Sequence, residues 1–354
     1  MQDPILGVVL VAFDCGGVLL DCLESLRAAT GVRLRVVVVD NASTDDTLTR
    51  LHDWASGAAP YTAPADSPIP LTASLKPLPV QAPGDALAGD APFTLTLVEA
   101  GVNGGFAAGV NLGLAELAAR PDVDRFWVLN PDSIVPPTTP ALLAREAEGA
   151  PFALMGNRVV YLERPDLIQI DGGCIDWRTG VTRNIHQFAP HPDTPAPEVA
   201  RVAFIHGASM VASRQFYAAV GPMTEDYFLY YEEVDWALRR GDLPLAFCVG
   251  APIFHRSGAS IGSGAPGRVA APFSVYFMTR ARLRFVRRFR PTALPGAYAF
   301  SLAKAAQMLA GGHIAQAAAL LRAAHGLPPP PVVRRRLSPE AARRAFGRSR
   351  GRNG

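Results

Sequence analysis

Val36-Val37-Val38-Val39-Asp40-Asn41-Ala42-Ser43-Thr44-Asp45-Asp46-Thr47 is the stretch whose reading decides the fold. Four consecutive β-branched residues suit a strand buried on both faces, as in a parallel sheet covered by helices. The strand runs directly into acids and small polar residues. In open α/β sheets, ligands bind just beyond the carboxyl ends of the strands. Asp40 stands at such an end, where a carboxylate accepts hydrogen bonds from a base or a ribose. Ser43 or Thr44 suits the N-cap of a following helix, with Asp45 and Asp46 in its first turn.

Working outward, residues 5–13 read as a first strand, and Leu19, Leu20, Leu23 and Leu26 give a helical period. Residues 34–39 are the second strand and 47–55 a helix, so the start of the chain is a parallel βαβ unit. Residues 57–92 carry eight prolines and no periodicity, which predicts a flexible insertion or extended loop. The pattern resumes with a strand at 94–98 and a helix at 104–119. A strand at 126–129 and a helix at 140–148 follow. Further strands are predicted at 151–156, 202–205, 208–212, 245–249 and 252–255, with a helix at 214–220. From residue 274 the pattern is helical, basic and Ala-rich.

Three more segments carry chemistry. Gly101-Val102-Asn103-Gly104-Gly105-Phe106-Ala107-Ala108-Gly109-Val110-Asn111 follows a strand and opens a helix, a place where backbone N–H groups face an anion. Phe126-Trp127-Val128-Leu129 ends in Asn130-Pro131-Asp132, and an Asp at a strand end can hold a divalent ion that bridges diphosphate oxygens. Glu232, Glu233 and Asp235 open a further helix. The helical period points the two glutamates about a hundred degrees apart, so one of them is suited to act as a base. Asp235 also suits an ion pair with Arg239 one turn on.

Taken in order, these segments resemble the family 2 glycosyltransferases, and the rhamnosyltransferase-like subgroup within them. The matching runs are Val39-Asp40-Asn41-Ala42-Ser43-Thr44-Asp45, Asn103-Gly104-Gly105-Phe106-Ala107-Ala108-Gly109, Leu129-Asn130-Pro131-Asp132, and Phe228-Leu229-Tyr230-Tyr231-Glu232-Glu233-Val234-Asp235-Trp236, with His255 after a later strand. The resemblance implies a GT-A fold: a Rossmann-like, mostly parallel central sheet flanked by helices, here with a C-terminal helical extension. It implies a transferase domain over residues 1–265, with the nucleotide half at 1–132, the acceptor half at 133–265 and an insertion at 58–92. A basic helical extension at 266–326 and a disordered tail at 327–354 complete the expected organisation.

The same resemblance assigns roles. Glu233 is the base, at a position where the family often has Asp, and Asp235 supports it. Phe13, Asp40, Asn41, Asn103, Gly104, Gly105, Asn111, Asn130 and Asp132 bind the nucleotide sugar. Asp132 and His255 hold the metal; an oxygen–imidazole set suits Mn²⁺, and Mg²⁺ is compatible. The expected activity is inverting, metal-dependent sugar transfer, with rhamnose suggested by the subgroup, from a dTDP- or UDP-linked donor to a lipid-linked or polysaccharide acceptor in cell-surface glycan biosynthesis. No Gly-x-Ser-x-Gly elbow or Cys–His arrangement argues for a covalent route. The alternatives are a nucleotide-sugar-binding scaffold without catalysis and a sugar nucleotidyltransferase. Phe13-Asp14-Cys15-Gly16-Gly17 lacks the basic residues that the second would need.

Composition narrows the setting. A net charge of +3 over 354 residues excludes a global polyanion binder, and no nucleic-acid module accompanies the arginines. Arg280, Arg282, Arg284, Arg287, Arg288 and Arg290 crowd one segment, which suggests contact with an anionic membrane surface or a lipid phosphate. Four cysteines (Cys15, Cys22, Cys174, Cys248) without metal or disulfide spacing suit a reducing compartment. The expected location is cytoplasmic, peripheral on the inner face of the cell membrane.

Overall fold

The computed structural model describes residues 3–85, 90–146, 149–256 and 269–347. Among them run β1 (Ile5–Ala12), α1 (Leu19–Arg27), β2 (Arg33–Asp40), α2 (Thr47–Ser56), β3 (Val80–Gln81), β4 (Phe93–Glu99), α3 (Phe106–Ala118), β5 (Arg125–Leu129), β6 (Ser133–Ile134), α4 (Thr139–Arg145) and β7 (Leu154–Tyr161). They continue with β8 (Ile168–Ile170), β9 (Gly173–Asp176), β10 (Val181–Asn184), β11 (Ser209–Ser213), α5 (Arg214–Val220), α6 (Glu232–Leu238), β12 (Ala246–His255), α7 (Pro272–Phe289), α8 (Leu294–Ala310) and α9 (Ile314–Ala324).

One sheet has the order β3-β4-β2-β1-β5-β11-β7-β12-β6, with β8 on β7. The strands β3, β4, β2, β1 and β5 are mutually parallel, whereas β11 is antiparallel to both neighbours. The chain moves from β1 outward to β2 and β4, then returns to the other side of β1 as β5. That reversal creates a crevice at the carboxyl ends of β1 and β5.

The valine run behaves as a two-sided strand. Val36 and Val38 enter the cluster under α1, α2 and α4, while Val37 and Val39 enter the cluster under α3, α5 and α7. The period of two divides β1 in the same way, with Val8 and Leu10 on one face and Val9 on the other. Helix α3 lies unusually close to β1. A Cβ on Gly109 would stand 2.6 Å from Val11 Cγ1, and one on Gly113 only 2.4 Å from Val9 Cγ1.

The insertion is extended but fastened down. Glu24 on α1, 1% exposed, accepts from Trp54 Nε1 (2.7 Å), Ser74 N (3.0 Å) and Lys76 Nζ (3.2 Å). The Lys76 ammonium also sits 3.5 Å from the Trp54 ring centre. Ile69 and Leu71 pack on Ile134 and Phe254, and the segment ends as edge strand β3. Replacing Glu24 with Ala should therefore cost about 1–3 kcal/mol, because the Lys76 ammonium and the Trp54 N–H lose their acceptor. Chemical denaturation measures this, and limited proteolysis should show new cleavage within residues 60–76. An unchanged midpoint and digest would mean that prolines alone hold the insertion.

Several boundaries differ from expectation. Strand β7 begins three residues later than the sequence suggests and runs to Tyr161, because its partner β12 is long; the two segments predicted at 245–255 are one bulged strand. Residues 202–205 form no strand; Phe204 makes an isolated bridge to Gly173. The tail at 327–354 was expected to be disordered; residues 331–334 and 339–346 are helical, and residues 348–354 lie outside the described residues. Val333 and Ala345 are buried among Phe273, Tyr276 and Phe277, an apolar surface that local composition does not reveal. No helix among the described residues is long and apolar enough to cross a membrane.

Candidate active site

The carboxyl ends of β1, β2 and β4 are level, with Ala12 opposite Asp40 and Asp40 opposite Glu99. Asp40 is 3% exposed and accepts from the Ser43 amide through both oxygens, at 3.3 and 3.2 Å. Asp14, with φ +48°, accepts from Thr44 N at 2.6 Å and from Asp45 N at 3.3 Å, so it stitches the β1 and β2 loops together around Phe13. Asp14 was not singled out in the sequence, since an acid after a strand gives no sign of what it will cap. The N-cap expected at Ser43 or Thr44 falls instead at Asp46, and the first turn of α2 holds no acid. Asp40 and Asp14 occupy the Ser43 and Thr44 amides, which delays the helix.

The Gly-rich turn is organised by two asparagines. Asn41 Nδ2 donates to Asn103 Oδ1 (3.2 Å) and to the Gly105 carbonyl (3.1 Å), while its Oδ1 accepts from Gly104 N (3.2 Å). Asn103 Oδ1 also accepts from Gly105 N at 2.9 Å. Asn41 and Asn103 thus shape the loop. Gly105 has φ +88°, and a Cβ there would lie 2.1 Å from the Phe228 carbonyl oxygen. Phe106 N donates to that same oxygen at 3.0 Å. Gly105 therefore allows the nucleotide-side loop to seat against the segment leading into α6. Asn111, expected to touch nucleotide, does not point there. Its amide donates to Met223 O and Glu225 Oε1 (both 3.0 Å) and accepts from Met223 N (2.9 Å), bracing the loop before α6.

The metal-side geometry comes from a hook. After β5, the two-residue strand β6 turns to pair with the end of β12, with Ser133 opposite His255. Asp132 thereby faces His255, Oδ1 to Nε2 at 3.2 Å. Gln169 Oε1 stands 2.9 Å from His255 Nδ1, and Asn130 Nδ2 stands 3.0 Å from Nε2. With Gln169 accepting from Nδ1–H, Nε2 carries the lone pair; here it accepts from Asn130 Nδ2, and it is the atom that would ligate a cation beside Asp132 Oδ1. A carboxylate oxygen and a ring nitrogen each ~2.1 Å from one ion, at a right angle, stand roughly 3 Å apart. The pair present therefore fits a divalent cation as two adjacent ligands. Among the described residues, no group of three or more His, Cys, Asp or Glu side chains gathers, so further ligands would be diphosphate or water oxygens.

His206, absent from the sequence expectation, lies by this pair. Burial, with the His255 charge, pulls its ring down to about 4, and Nδ1 accepts from Ala208 N at 3.1 Å. It is a neutral wall of the site. The Cys15 thiol is pushed up to about 12, chiefly by burial and then by the charges of Asp132, Asp45 and Asp40. Carboxylates from the ends of β2 and β5 thus act on the same thiol, which is no nucleophile.

Helix α6 is entered through a strained segment: Phe228, Tyr230 and Tyr231 all have φ near +70°. Tyr231 is pinned by its hydroxyl, which donates to Gly180 O at 2.7 Å. Glu232 is buried, with Oε2 lacking a hydrogen-bond partner, whereas Glu233 is half-buried. Burial pushes both carboxyl groups well above the ordinary range, and for Glu232 the neighbouring Glu233 charge adds to it. Asp235 is fully buried and accepts from Thr224 Oγ1 (3.1 Å), Tyr227 Oη (2.9 Å), Arg239 Nε (2.9 Å) and Arg288 Nη1 (2.9 Å). The expected i,i+4 ion pair is present. The expected supporting role of Asp235 becomes that of a brace, because all its lone-pair directions face protein donors.

A raised folded-state carboxyl contributes stability that is full below the ordinary Glu range and is lost as pH rises through the raised value. Glu232→Gln keeps the neutral form at every pH. It should therefore flatten the alkaline loss of stability, with a gain at about pH 9 that exceeds the gain at about pH 6 by roughly 1–3 kcal/mol for a buried unsatisfied group, seen as a larger rise in melting point at the higher pH. Thermal unfolding at both values checks this. An equal shift at the two would mean that Glu232 is not a buried ionising group.

The arginines of α7, expected at an anionic membrane surface or a lipid phosphate, also make contacts within the protein. Arg284 donates to Asp226 O, Arg288 grips Asp235, Arg280 donates to Ala345 O, and Arg290 lies over the Trp177 ring. These contacts tie α7 to the α6 approach and to the C-terminal helices, while Arg287, Arg288 and Arg290 remain exposed.

Residues 7–62 match the model described as Glycosyl transferase family 2. No curated protein matches. Among solved structures, GalNAc-T7 with UDP, GalNAc and Mn²⁺ is similar at 12% identity and a TM-score of 0.50, over 81% of this chain and 48% of that one. The mannosyltransferase PcManGT from Pyrobaculum calidifontis, in complex with GDP-Man and Mn²⁺, gives 14% and 0.48, over 92% and 87%. S. aureus TarS 1–349 gives 10% and 0.46, over 92% and 81%. The chain has the GT-A fold, and it spans about half the length of the GalNAc-T7 chain, 48%.

Proposed function

We propose that this chain is a metal-dependent, inverting glycosyltransferase that moves a sugar from a nucleotide diphosphate to a hydroxyl acceptor. The observation that carries this reading is the Asp132–His255 pair, held at the strand ends by Gln169 and Asn130 and facing as two ligands of one cation. The family match over residues 7–62 supports it, as does the fold shared with GalNAc-T7, whose structure holds UDP and Mn²⁺. Asp132 and His255 would hold Mn²⁺ or Mg²⁺, and the ion would neutralise the departing diphosphate.

The chain's own residues account for the rest. Phe13 and Asp40 flank the crevice in which the base and ribose would lie, and the Asn41–Asn103 clamp sets the loop beside it. Glu233, with its raised carboxyl, takes the proton from the acceptor hydroxyl as the oxygen attacks the anomeric carbon. One base without a nucleophile gives direct displacement and inversion. Residues 1–265 would form the transferase domain, with nucleotide contacts concentrated in 1–132 and acceptor contacts in 133–265.

The finer reading is a dTDP- or UDP-linked donor, rhamnose as the sugar, and an acceptor in cell-surface glycan synthesis at a cytoplasmic membrane face. Its support is the Leu129-Asn130-Pro131-Asp132 and Tyr230-Tyr231-Glu232-Glu233 pattern. A thermal-shift panel of UDP-, dTDP- and GDP-sugars, with and without Mn²⁺, tests the proposal, because a ligand of the native state stabilises by RT ln(1 + [L]/Kd). Stabilisation by at least one donor, dependent on the metal, is expected. No stabilisation by any would overturn it. Stabilisation without donor hydrolysis or transfer would favour a binding scaffold.

A further inference from the structure

A cavity of about 670 Å³ lies where α7, α8 and α9 meet β10, outside the strand-end crevice. Its volume is that of a small-molecule site. Val275, Met308 and Leu320 give it apolar walls. Val269, Met278 and Phe300, at 41%, 40% and 38% exposure, form an apolar rim open to the outside. One wall residue, Tyr231, immediately precedes the acid pair in the chain.

The cavity also contains a charge that no protein anion neutralises, although its guanidinium lies 4.9 Å from the centre of the Phe300 ring. Arg282 is 6% exposed, and its guanidinium donates to Thr179 O, Ala297 O and Ser301 Oγ, all neutral acceptors. No carboxylate stands within ion-pair distance of it among the described residues. Three part-buried arginines have one, Arg158 with Asp171, Arg120 with Glu116 and Arg239 with Asp235, and Arg282 is more deeply buried than Arg240 and Arg280, which bond carbonyls alone. A buried cation without a counter-ion is unfavourable unless something anionic supplies one. Lys304, on the same cavity wall, adds a second positive charge.

We propose that this cavity binds a single-chain lipid phosphate, with the phosphate on Arg282 and Lys304 and the chain leaving past Met278 and Phe300. Apolar walls with two cations match an amphiphile that carries one anionic head. A free phosphate would leave the walls unfilled, and an uncharged chain would leave Arg282 uncompensated. The proposal rests on the transferase reading to the extent that it names the class of acceptor carrier, a link that comes from Tyr231 being both a cavity wall and the residue that leads into the Glu232–Glu233 pair. Arginine matches phosphate through paired N–H donors.

The test is calorimetric titration of the full chain with farnesyl monophosphate, farnesol and inorganic phosphate, below micelle concentrations. Farnesyl monophosphate should bind once per chain, and roughly tenfold or more tighter than farnesol, the effect of a charge-assisted contact to phosphate. Inorganic phosphate at the same concentration should not displace it. Arg282 also ties Thr179 to Ala297, so its removal could unfold the chain. Met308→Trp, which fills the cavity, and Lys304→Gln, which removes the second charge, are the variants. Both should weaken the lipid phosphate several-fold while the donor-induced thermal shift stays as in the parent. Equal affinity for farnesol and its phosphate, unsaturable uptake, displacement by inorganic phosphate, or parent-like binding in both variants would each overturn the proposal. A chain that binds farnesyl monophosphate but no nucleotide sugar would sink the transferase reading and leave the lipid site standing.

Discussion

Asp132→Ala should abolish the metal-dependent part of donor binding and leave the fold intact. The side chain is one of two facing ligands, and His255 alone cannot hold a hard divalent ion against water. The backbone role of Asp132 survives the change, since its carbonyl accepts from Arg256 N at 3.1 Å and β6 pairs through Ser133 and Ile134. In the parent, donor at about a hundred times Kd should stabilise by about 2.7 kcal/mol. For a chain of this size that is several degrees in melting temperature. In the variant, Mn²⁺ should add nothing to whatever shift the donor gives. A variant that keeps the metal-dependent increment would show that the ligands lie elsewhere.

Glu233→Gln should lower turnover by roughly 10²–10⁴, the contribution of a general base, with donor affinity within a few-fold of the parent. The amide preserves volume and removes only the ability to take a proton. Glu232→Gln should be milder, because Glu232 is buried and points about a hundred degrees away along the helix. It should leave the acid limb of the rate profile in place, since the Glu233 carboxyl is raised by burial and not by the Glu232 charge. Equal losses from the two changes, or a larger loss from Glu232→Gln, would count against Glu233.

The two variants read different parts of the site, and the loop before α6 joins them. Asn41 holds Gly104 and Gly105, Gly105 seats against Phe228, and the Phe228–Tyr231 segment delivers Glu232 and Glu233. The nucleotide crevice and the base are thus linked through backbone contacts. In the same way, Asp235 and Asn111, both read from the sequence as site residues, anchor that loop from behind.

By itself, the sequence determined the parallel βαβ start, the strand ends that carry Asp40 and Asp132, and the helix that begins at Glu232. These rest on short-range rules: β-branched runs, helical periodicity and the change to polar residues at a strand end. The GT-A architecture was legible because those signals recur in one order. The pairing of Asp132 with His255, 123 residues apart in the chain, was visible only by resemblance; β6 turning onto β12 is what brings them to 3.2 Å. Only the tertiary structure decided which polar groups face solvent and which face protein. Asn111 and Asp235 were taken up by a loop and by Arg239 and Arg288, while of the α7 arginines Arg282 turned into the helical layer and Arg287 and Arg290 stayed exposed. A side chain's composition fixes what it can bond, but the partner arrives from a distant part of the chain, and no local pattern encodes that meeting.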